Sequence, residues 1–404
     1  MSRAARSRTV IALGSAQTLA WGSSYYVPAV LATPMARDLG VAASTVFAAF
    51  SAALVLAAFV GPVAGRAIDR RGGRPVLMLT NGLFALGLFT LAAARDVPDL
   101  FLAWAVLGLA MGSGLYEAAF AALVRLYRED SRGAITGITL IAGFASTVAW
   151  PLSAALDAQI GWRGTCQVWA VLHLLLGLPL NASLPRAPAV RAHGAPVAAR
   201  AGGSDAPGES ARLRFTGALL AYVFAVAWFI AAAMATHLPR LLEATGATVA
   251  MAVAAGALIG PAQVAARLFE FGVLRHVSPM VSARLAALAH PAGVLLLMGF
   301  GAGGSAVFAI LHGAGNGILT IAKGTLPLAI FGPEGYGARQ GWLTLPSRIS
   351  QACAPLAFGL ALEHLGAGAA WLSGALALSA FVALLLIPMP AAAHGAGARA
   401  RTPA

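Results

Sequence analysis

Charge is what this sequence has least of. Only 10% of its 404 residues are Asp, Glu, Lys or Arg, and only 14 are acidic. A water-soluble chain carries about 25% charged residues. A soluble enzyme, a disordered protein and a coiled coil are therefore excluded, because so few charges cannot keep a surface in water. Cysteine is almost missing too. Cys166 and Cys353 are the only two, on different predicted spans, so neither a disulfide framework nor a thiolate metal site is supported. The histidines are scattered without ligand spacing, which leaves no metal site. No glycine-rich phosphate loop or nucleotide motif occurs, which argues against an ATP-driven pump and against a bound cofactor. What the chain does have is apolar surface: 59% hydrophobic residues and a mean hydropathy of +0.80. Against that stands a net charge of +13, from 27 Lys+Arg and 14 Asp+Glu.

A helix that crosses hydrocarbon needs about 20 apolar residues, because no water is present to satisfy its backbone. Twelve stretches qualify: 9–31, 45–65, 76–94, 100–124, 134–156, 165–183, 216–238, 248–269, 285–300, 303–330, 341–361 and 368–388. They are long and rich in Ala and Leu, unlike the short alternating strands of a membrane barrel. The expected fold class is all-α integral membrane, twelve transmembrane helices in two six-helix bundles. Arg3, Arg6 and Arg8 before the first run resemble the start of a signal peptide. The run is too long for one and lacks a small-x-small cleavage site, so it reads as a retained first span.

The basic residues give the orientation. Arg and Lys accumulate in short loops on the cytoplasmic side. With the N-terminus inside, 20 of them fall in cytoplasmic segments, among them Arg66, Arg70, Arg71, Arg74, Arg125, Arg128 and Arg132. Only Arg37, Arg95, Arg163 and Arg240 fall outside, and Arg267, Lys323 and Arg348 lie in or at the ends of spans. This predicts both termini in the cytoplasm of a bacterial cell, with the chain multi-pass in the inner membrane. The charge surplus is a topology signal, and no nucleic-acid partner is expected.

Leu184–Arg214 is rich in Pro, Gly and Arg, a composition that suits a flexible linker. The predicted organisation is a bundle over 1–184, a cytoplasmic linker over 185–214, a second bundle over 215–391 and a tail over 392–404. A repeat is visible between the halves. Span two ends Gly61-Pro62 followed by Arg66-x-x-Asp69, and span eight ends Gly260-Pro261 followed by Arg267-x-x-Glu270. Parallel repeats of this kind occur in transporters.

The loop after span two reads Gly65-Arg66-Ala67-Ile68-Asp69-Arg70-Arg71-Gly72-Gly73-Arg74. It resembles the signature of the major facilitator superfamily, G-x-x-x-D-R/K-x-G-R-R/K. Gly65, Asp69, Arg70, Gly72 and Arg74 match, while Gly73 stands where a basic residue is usual. The resemblance implies a gating role on the cytoplasmic side for Gly65, Asp69, Arg70, Gly72 and Arg74, with Arg267 and Glu270 as their counterparts. The physics of the loop is consistent with that: glycines permit close approach, and an acid among arginines suits the positive N-terminus of another helix. Two departures weigh against a typical drug/proton antiporter. Gly108 stands where an Arg often precedes Gly112-Ser113-Gly114, and Trp150-Pro151-Leu152-Ser153-Ala154 lacks the antiporter glycines. The tracts around Gly313–Pro327 and Gln340–Pro355 resemble bacterial carriers of organic acids.

Ionisable residues inside spans are costly and mark pathways or paired sites. Glu117 is the only acid deep in a span, a candidate proton carrier or partner of Arg348. Arg348 on span eleven, with Gln351 beside it, is a candidate fork for a carboxylate. His312, Asn316 and Lys323 share one face of span ten. Gln17, Trp21 and Tyr25 form a stripe on span one suited to orienting and clamping a polar ligand. Tyr222 and Trp228 on span seven, with Trp150 and Gln263, are weaker candidates. In the resembled family, spans one, four, seven and ten line the central cavity.

The expected function is secondary active transport of a small organic anion such as a carboxylate, coupled to protons, by a monomer in the lipid bilayer. The alternatives are a multidrug or metabolite efflux carrier working by proton antiport and, more remotely, a non-transporting membrane sensor. An enzyme would need a catalytic pair or metal cluster within the spans, and the sequence offers neither.

Overall fold

The computed structural model describes residues 3–187 and 207–387. Within the linker, 188–206 lie outside the described residues, as does the tail 392–404. Arg191, Arg200, Arg399 and Arg401 of the charge tally lie outside with them.

All regular elements among the described residues are helices. Span one is built from α1 (Arg3–Gly22) and α2 (Val27–Asp38), span two from α3 (Ala43–Arg71) and span three from α4 (Gly73–Ala93). Span four is split into α5 (Val97–Gly114) and α6 (Tyr116–Tyr127). Span five starts with α7 (Arg132–Ala142) and continues into α8 (Ala145–Leu172). At Gly161, φ is 71°, so α8 turns there and its remainder opens span six. A π turn, His173–Gly177, and α9 (Leu178–Ala182) complete that span. The second half runs α10 (Pro207–Ala244), α11 (Val249–Gly272), α12 (Pro279–Phe300), α13 (Ser305–Phe331), α14 (Tyr336–Leu365) and α15 (Ala369–Leu386). These are spans seven to twelve of the twelve-helix fold.

Seven helical stretches are long and apolar enough to cross a membrane, and three of them contain more than one pass. Phe59, Leu79, Leu175, Phe300 and Leu356 are among the large apolar side chains left exposed on the outside. Such a surface suits hydrocarbon and not water.

The structure adds two breaks that hydropathy does not reveal. Span one is interrupted at Ser23–Tyr26, just before Pro28 at the start of α2. Proline has no N–H to donate one turn back, so the helix stops and restarts. The Ser23 and Ser24 hydroxyls donate to the carbonyls of Leu19 and Ala20 at 2.8 and 2.5 Å, taking up acceptors freed near the break. Span four is interrupted at Leu115, with Glu117 in the first turn of the new helix α6.

The two halves repeat each other in their packing. Gly108 and Gly112 on α5 press against the backbone of α3, where an added Cβ would come within 2.7 Å of the Ala53 and Ala57 carbonyls. Gly313 and Gly317 on α13 press in the same way on the Ile259 and Gln263 carbonyls of α11, again at 2.7 Å. Small residues four apart let helix backbones approach closely in a membrane. Spans four and two in one half thus correspond to spans ten and eight in the other. A long side chain such as Arg at position 108 has no room here.

Candidate functional site

At the interface between the halves, one carboxylate is shared by two cations. Glu117 Oε1 lies 2.5 Å from Lys323 Nζ of α13, and Glu117 Oε2 lies 2.9 Å from Arg348 Nη2 of α14. Lys323 and Arg348 are buried, at 3% and 4% relative exposure. The break in span four explains the position of the acid: a helix N-terminus carries partial positive charge and unpaired N–H groups, which favour a carboxylate in the first turn. Glu117 comes five residues after Gly112, and Lys323 six after Gly317. Nearly equivalent places in the repeat therefore hold opposite charges, and the pair closes across the two halves.

Polar side chains surround the cluster. Gln17 Nε2 donates to the Gly114 carbonyl at 2.7 Å, satisfying an acceptor at the broken end of α5. Gln340 Nε2 donates to the Lys323 carbonyl at 3.0 Å. Gln351 Nε2 donates to the Tyr25 hydroxyl at 2.8 Å, a further bond between the halves. Several buried polar atoms here have no hydrogen-bond partner: Gln17 Oε1, Trp21 Nε1, Arg348 Nη1 and Gln351 Oε1. Buried donors and acceptors without partners are unusual in native proteins and fit groups that serve a ligand or water.

Aromatic rings form one wall. Trp21 packs edge-on to Tyr25 and tilted against Tyr116, with centroids 5.2 and 5.0 Å away. It is parallel to Trp228 of α10, at 6.2 Å and 3° between planes. Lys323 Nζ lies 4.5 Å from the Trp228 ring centroid. The structure thus brings together Gln17, Trp21, Tyr25, Glu117, Lys323, Arg348 and Gln351. Trp228, a weaker candidate by sequence, sits at the centre. Tyr222 does not join it: its hydroxyl is 2.6 Å from Ser379 Oγ, on an exposed face of the second half.

His312 and Asn316 share a helix with Lys323 but not its surroundings. His312 Nδ1 is 3.0 Å from His290 Nδ1, and His290 Nε2 is 3.1 Å from Ser373 Oγ. Both His312 and Asn316 line a cavity of about 30 Å³ between α10, α12, α13 and α15, inside the second bundle. That is room for about one water. A single face of span ten therefore turns from the bundle interior at His312 to the interface between halves at Lys323. A comparable buried network lies in the first half, where His173 bridges Ser23 Oγ at 2.7 Å and Asn81 Oδ1 at 2.9 Å.

A second set of contacts joins the halves at the end that carries the arginine-rich loops, here called the basic end. Asp69, near the end of α3, accepts hydrogen bonds from the backbone N–H groups of Gly337 and Ala338 at 2.9 and 2.8 Å, at the start of α14. Gly65 faces Gly337 so closely that a Cβ on Gly65 would overlap the Gly337 carbonyl. One turn further in, a Cβ on Gly341 would come within 2.5 Å of Pro62. Gly72 ends α3 at φ 83°, a conformation that favours glycine. Arg70 is exposed and Arg74 half-buried. Gly73, the departure from the family signature, lies against α6, where a Cβ would overlap Ala122.

The repeat-related junction uses other chemistry. Glu270, near the end of α11, pairs with Arg132 at the start of α7 at 2.9 Å. Arg132 also donates to the carbonyls of Val277 and Leu274 at 2.7 and 3.1 Å. Arg267 is buried and reaches the Thr139 carbonyl of the first half at 3.1 Å and the Gly317 carbonyl of its own half at 3.4 Å. Its sequence counterpart Arg66 is exposed, so the two arginines do not have the same surroundings. Arg128 and Glu334 form an exposed ion pair nearby.

Comparison with known proteins gives the family and the fold. The Major Facilitator Superfamily profile matches residues 13–310. The chain belongs to that superfamily. A Thermoproteus tenax protein described as an uncharacterized 38 kDa protein in a 23S RNA operon is 29% identical over 371 residues, covering 91% of this chain and 92% of its own. The purine ribonucleoside efflux pump NepI of Escherichia coli K12 is 28% identical over 171 residues, 42% of each chain. Among solved structures, the human organic anion transporter MFSD10 superposes with a TM-score of 0.70 at 16% identity, covering 95% of this chain and all (100%) of its own. The proton:xylose symporter XylE superposes with a TM-score of 0.72 at 14% identity, covering 95% of both chains. At such identities the structural neighbours establish the fold alone. The family points to a transporter, and none of the described residues form a metal-ligating group of three or more.

Proposed function

We propose that this transporter moves a small organic anion, with a carboxylate as its charged group, together with protons. The observation that carries the reading is the Glu117 bridge to Lys323 and Arg348. One acid against two cations leaves the cluster with a formal surplus of one positive charge, and Arg348 Nη1 has no partner. A guanidinium binds a carboxylate through two parallel N–H groups. A cargo carboxylate that takes Arg348 and Lys323 displaces Glu117. A carboxylate deprived of its cations in an apolar site is neutralised by a proton, since a buried unpaired charge is very costly. Cargo and proton then enter together, the cluster keeps its formal charge of +1, and the loaded site can pass between the two faces as the halves rock about it. The basic end is read as cytoplasmic by the distribution of Arg, with both termini inside and the protein a monomer in a bacterial inner membrane. The linker over 185–214 then joins the bundles on that side.

Reconstitution into proteoliposomes with an imposed pH gradient tests this, using a panel of labelled small carboxylates. Glu117→Gln is expected to abolish the pH-driven accumulation while leaving exchange of cargo measurable. Arg348→Ala is expected to lower affinity for the acid by about tenfold or more, the value of a lost charged hydrogen-bonding partner. An unchanged response to the pH gradient in Glu117→Gln, or full affinity in Arg348→Ala, would overturn the reading. The likeness to NepI over 42% of the chain favours a second reading, efflux of an uncharged nucleoside. Under it the same vesicles expel a labelled purine nucleoside against a proton gradient and ignore carboxylates.

A further inference from the structure

We infer that the cargo is a flat aromatic carboxylate whose ring is held between Trp21 and Trp228. The inference rests on the anion reading above and narrows it. Among the aromatic contacts of the described residues, Trp21 with Trp228 is the one that joins the two halves. All the others pair rings within one half, such as Trp21 with Tyr116 or Tyr25 with Phe50. A contact that crosses the halves beside the charged cluster lies where cargo has to sit if two bundles rock around a central site.

The geometry suits a planar group. The two indoles are within 3° of parallel with centroids 6.2 Å apart. Parallel rings offer two flat faces to a third ring, and each stacking contact needs about 3.5–4 Å between carbon atoms. A cargo ring therefore takes the place of the direct indole contact after a small separation of α1 from α10. An aliphatic chain fills the same space but gains nothing from parallel faces.

The cations stand at the distance this cargo requires. Lys323 Nζ lies 4.5 Å from the Trp228 ring centroid and Arg348 Cζ lies 6.0 Å from it. In an aryl carboxylate the charged group is bonded directly to the ring, so one small molecule reaches both the stack and the cations. The carboxylate meets Arg348 Nη1, and the Trp21 Nε1–H, also without a partner, is free to donate to a polar substituent on the ring.

The test is competition in proteoliposomes between two acids of similar size and charge, benzoate and cyclohexanecarboxylate, each against labelled benzoate. Benzoate is expected to compete about tenfold better, the worth of one to two aromatic stacking contacts. Trp228→Leu is expected to erase that preference and Trp228→Phe to keep part of it. Equal competition by the two acids in the unmodified protein overturns the aromatic clamp and leaves the anion reading standing. Failure of both acids to bind overturns the aromatic clamp, and the panel of small carboxylates then decides the anion reading separately. A preference that survives in Trp228→Leu overturns the assignment to this pair of rings. The comparison in the unmodified protein decides the matter even if the variants do not fold.

Discussion

The two junctions that close the basic end occupy related places in the repeat, yet they are made of different material. At the first, α3 meets the start of α14 backbone to backbone. Asp69 caps two N–H groups, and glycines on both helices let the two backbones touch. At the second, α11 meets the start of α7 through long side chains. Arg132 and Arg267 reach across to Glu270 and to main-chain carbonyls. A backbone contact tolerates almost no change in spacing, because overlap energies rise steeply. Guanidinium groups on flexible stems follow a moving partner and exchange one carbonyl for the next. On this contrast we propose that the first junction defines the closed arrangement and the second holds it.

That contrast can be broken most severely at Gly65. Any larger residue there overlaps the Gly337 carbonyl, which is backbone and cannot step aside. Gly65→Leu is expected to prevent closure at the basic end and to lower transport more than tenfold. Moving a two-state equilibrium from 1:99 to 99:1 takes about 5.5 kcal/mol, and the overlap is with backbone that has no rotamer to relieve it. A cysteine in place of Tyr336, which is 1% exposed and packs on the core of the first half, would report it through faster labelling by a thiol reagent once the exposed Cys353 is replaced. Gly260 in the other half, the counterpart of Gly61, is an open-space control: a Cβ there meets nothing within 4 Å. Gly260→Leu is expected to transport within a factor of about two of the parent, as surface substitutions usually do. Equal damage from the two substitutions would mean that the close approach of α3 to α14 is not what sets the closed state.

Asp69→Asn removes charge without adding bulk. The amide keeps one acceptor for the two N–H groups and brings an N–H₂ against the other. The loss is expected at about 1–2 kcal/mol, the difference between a charge-assisted and a neutral hydrogen bond plus one unmatched donor. That moves the population of the closed state by roughly 5–30-fold. The same labelling reporter reads the shift, and an unshifted rate would show that the carboxylate is not a brace.

Much of this was legible in the sequence because membrane proteins write topology in plain terms. Hydrocarbon demands about 20 apolar residues per span, so twelve passes and their charge asymmetry stand in the linear order. The signature Gly65 to Arg74 and the shared Gly-Pro pairs point to the gate and the repeat. The charged members of the central site were also legible, since Glu117, Lys323 and Arg348 stand out against an apolar background. The breaks before Val27 and after Gly114 were not legible. Hydropathy averages over a break, and Leu115 is as apolar as its neighbours. The helix start that receives Glu117 was therefore hidden. Helical spacing also misleads at His312, which shares a face with Lys323 but faces its own bundle, because a face has one direction and several neighbours along its length. Gly337, Gly341 and Arg132 were not singled out, since their importance comes from what lies opposite them.

The smallest effect is expected at Glu270, and it is the one that tests whether the two junctions act separately. The Glu270 side chain is 3% exposed, but its partner Arg132 is 23% exposed and keeps the carbonyls of Val277 and Leu274. Glu270→Gln leaves an amide oxygen as acceptor and leaves Arg132 with main-chain partners and access to water. The loss is expected at about 0.5–1 kcal/mol, nearer the value of a partly exposed ion pair than of a buried one. Substitutions that share no partner add within about 0.3–0.5 kcal/mol. The labelling rates of the two single variants and of Asp69→Asn with Glu270→Gln together complete a cycle. Additive shifts would mean that the rigid and the extensible junctions stabilise the closed state independently. A double variant no worse than Asp69→Asn alone would mean that the guanidinium contacts form only after α3 has seated on α14.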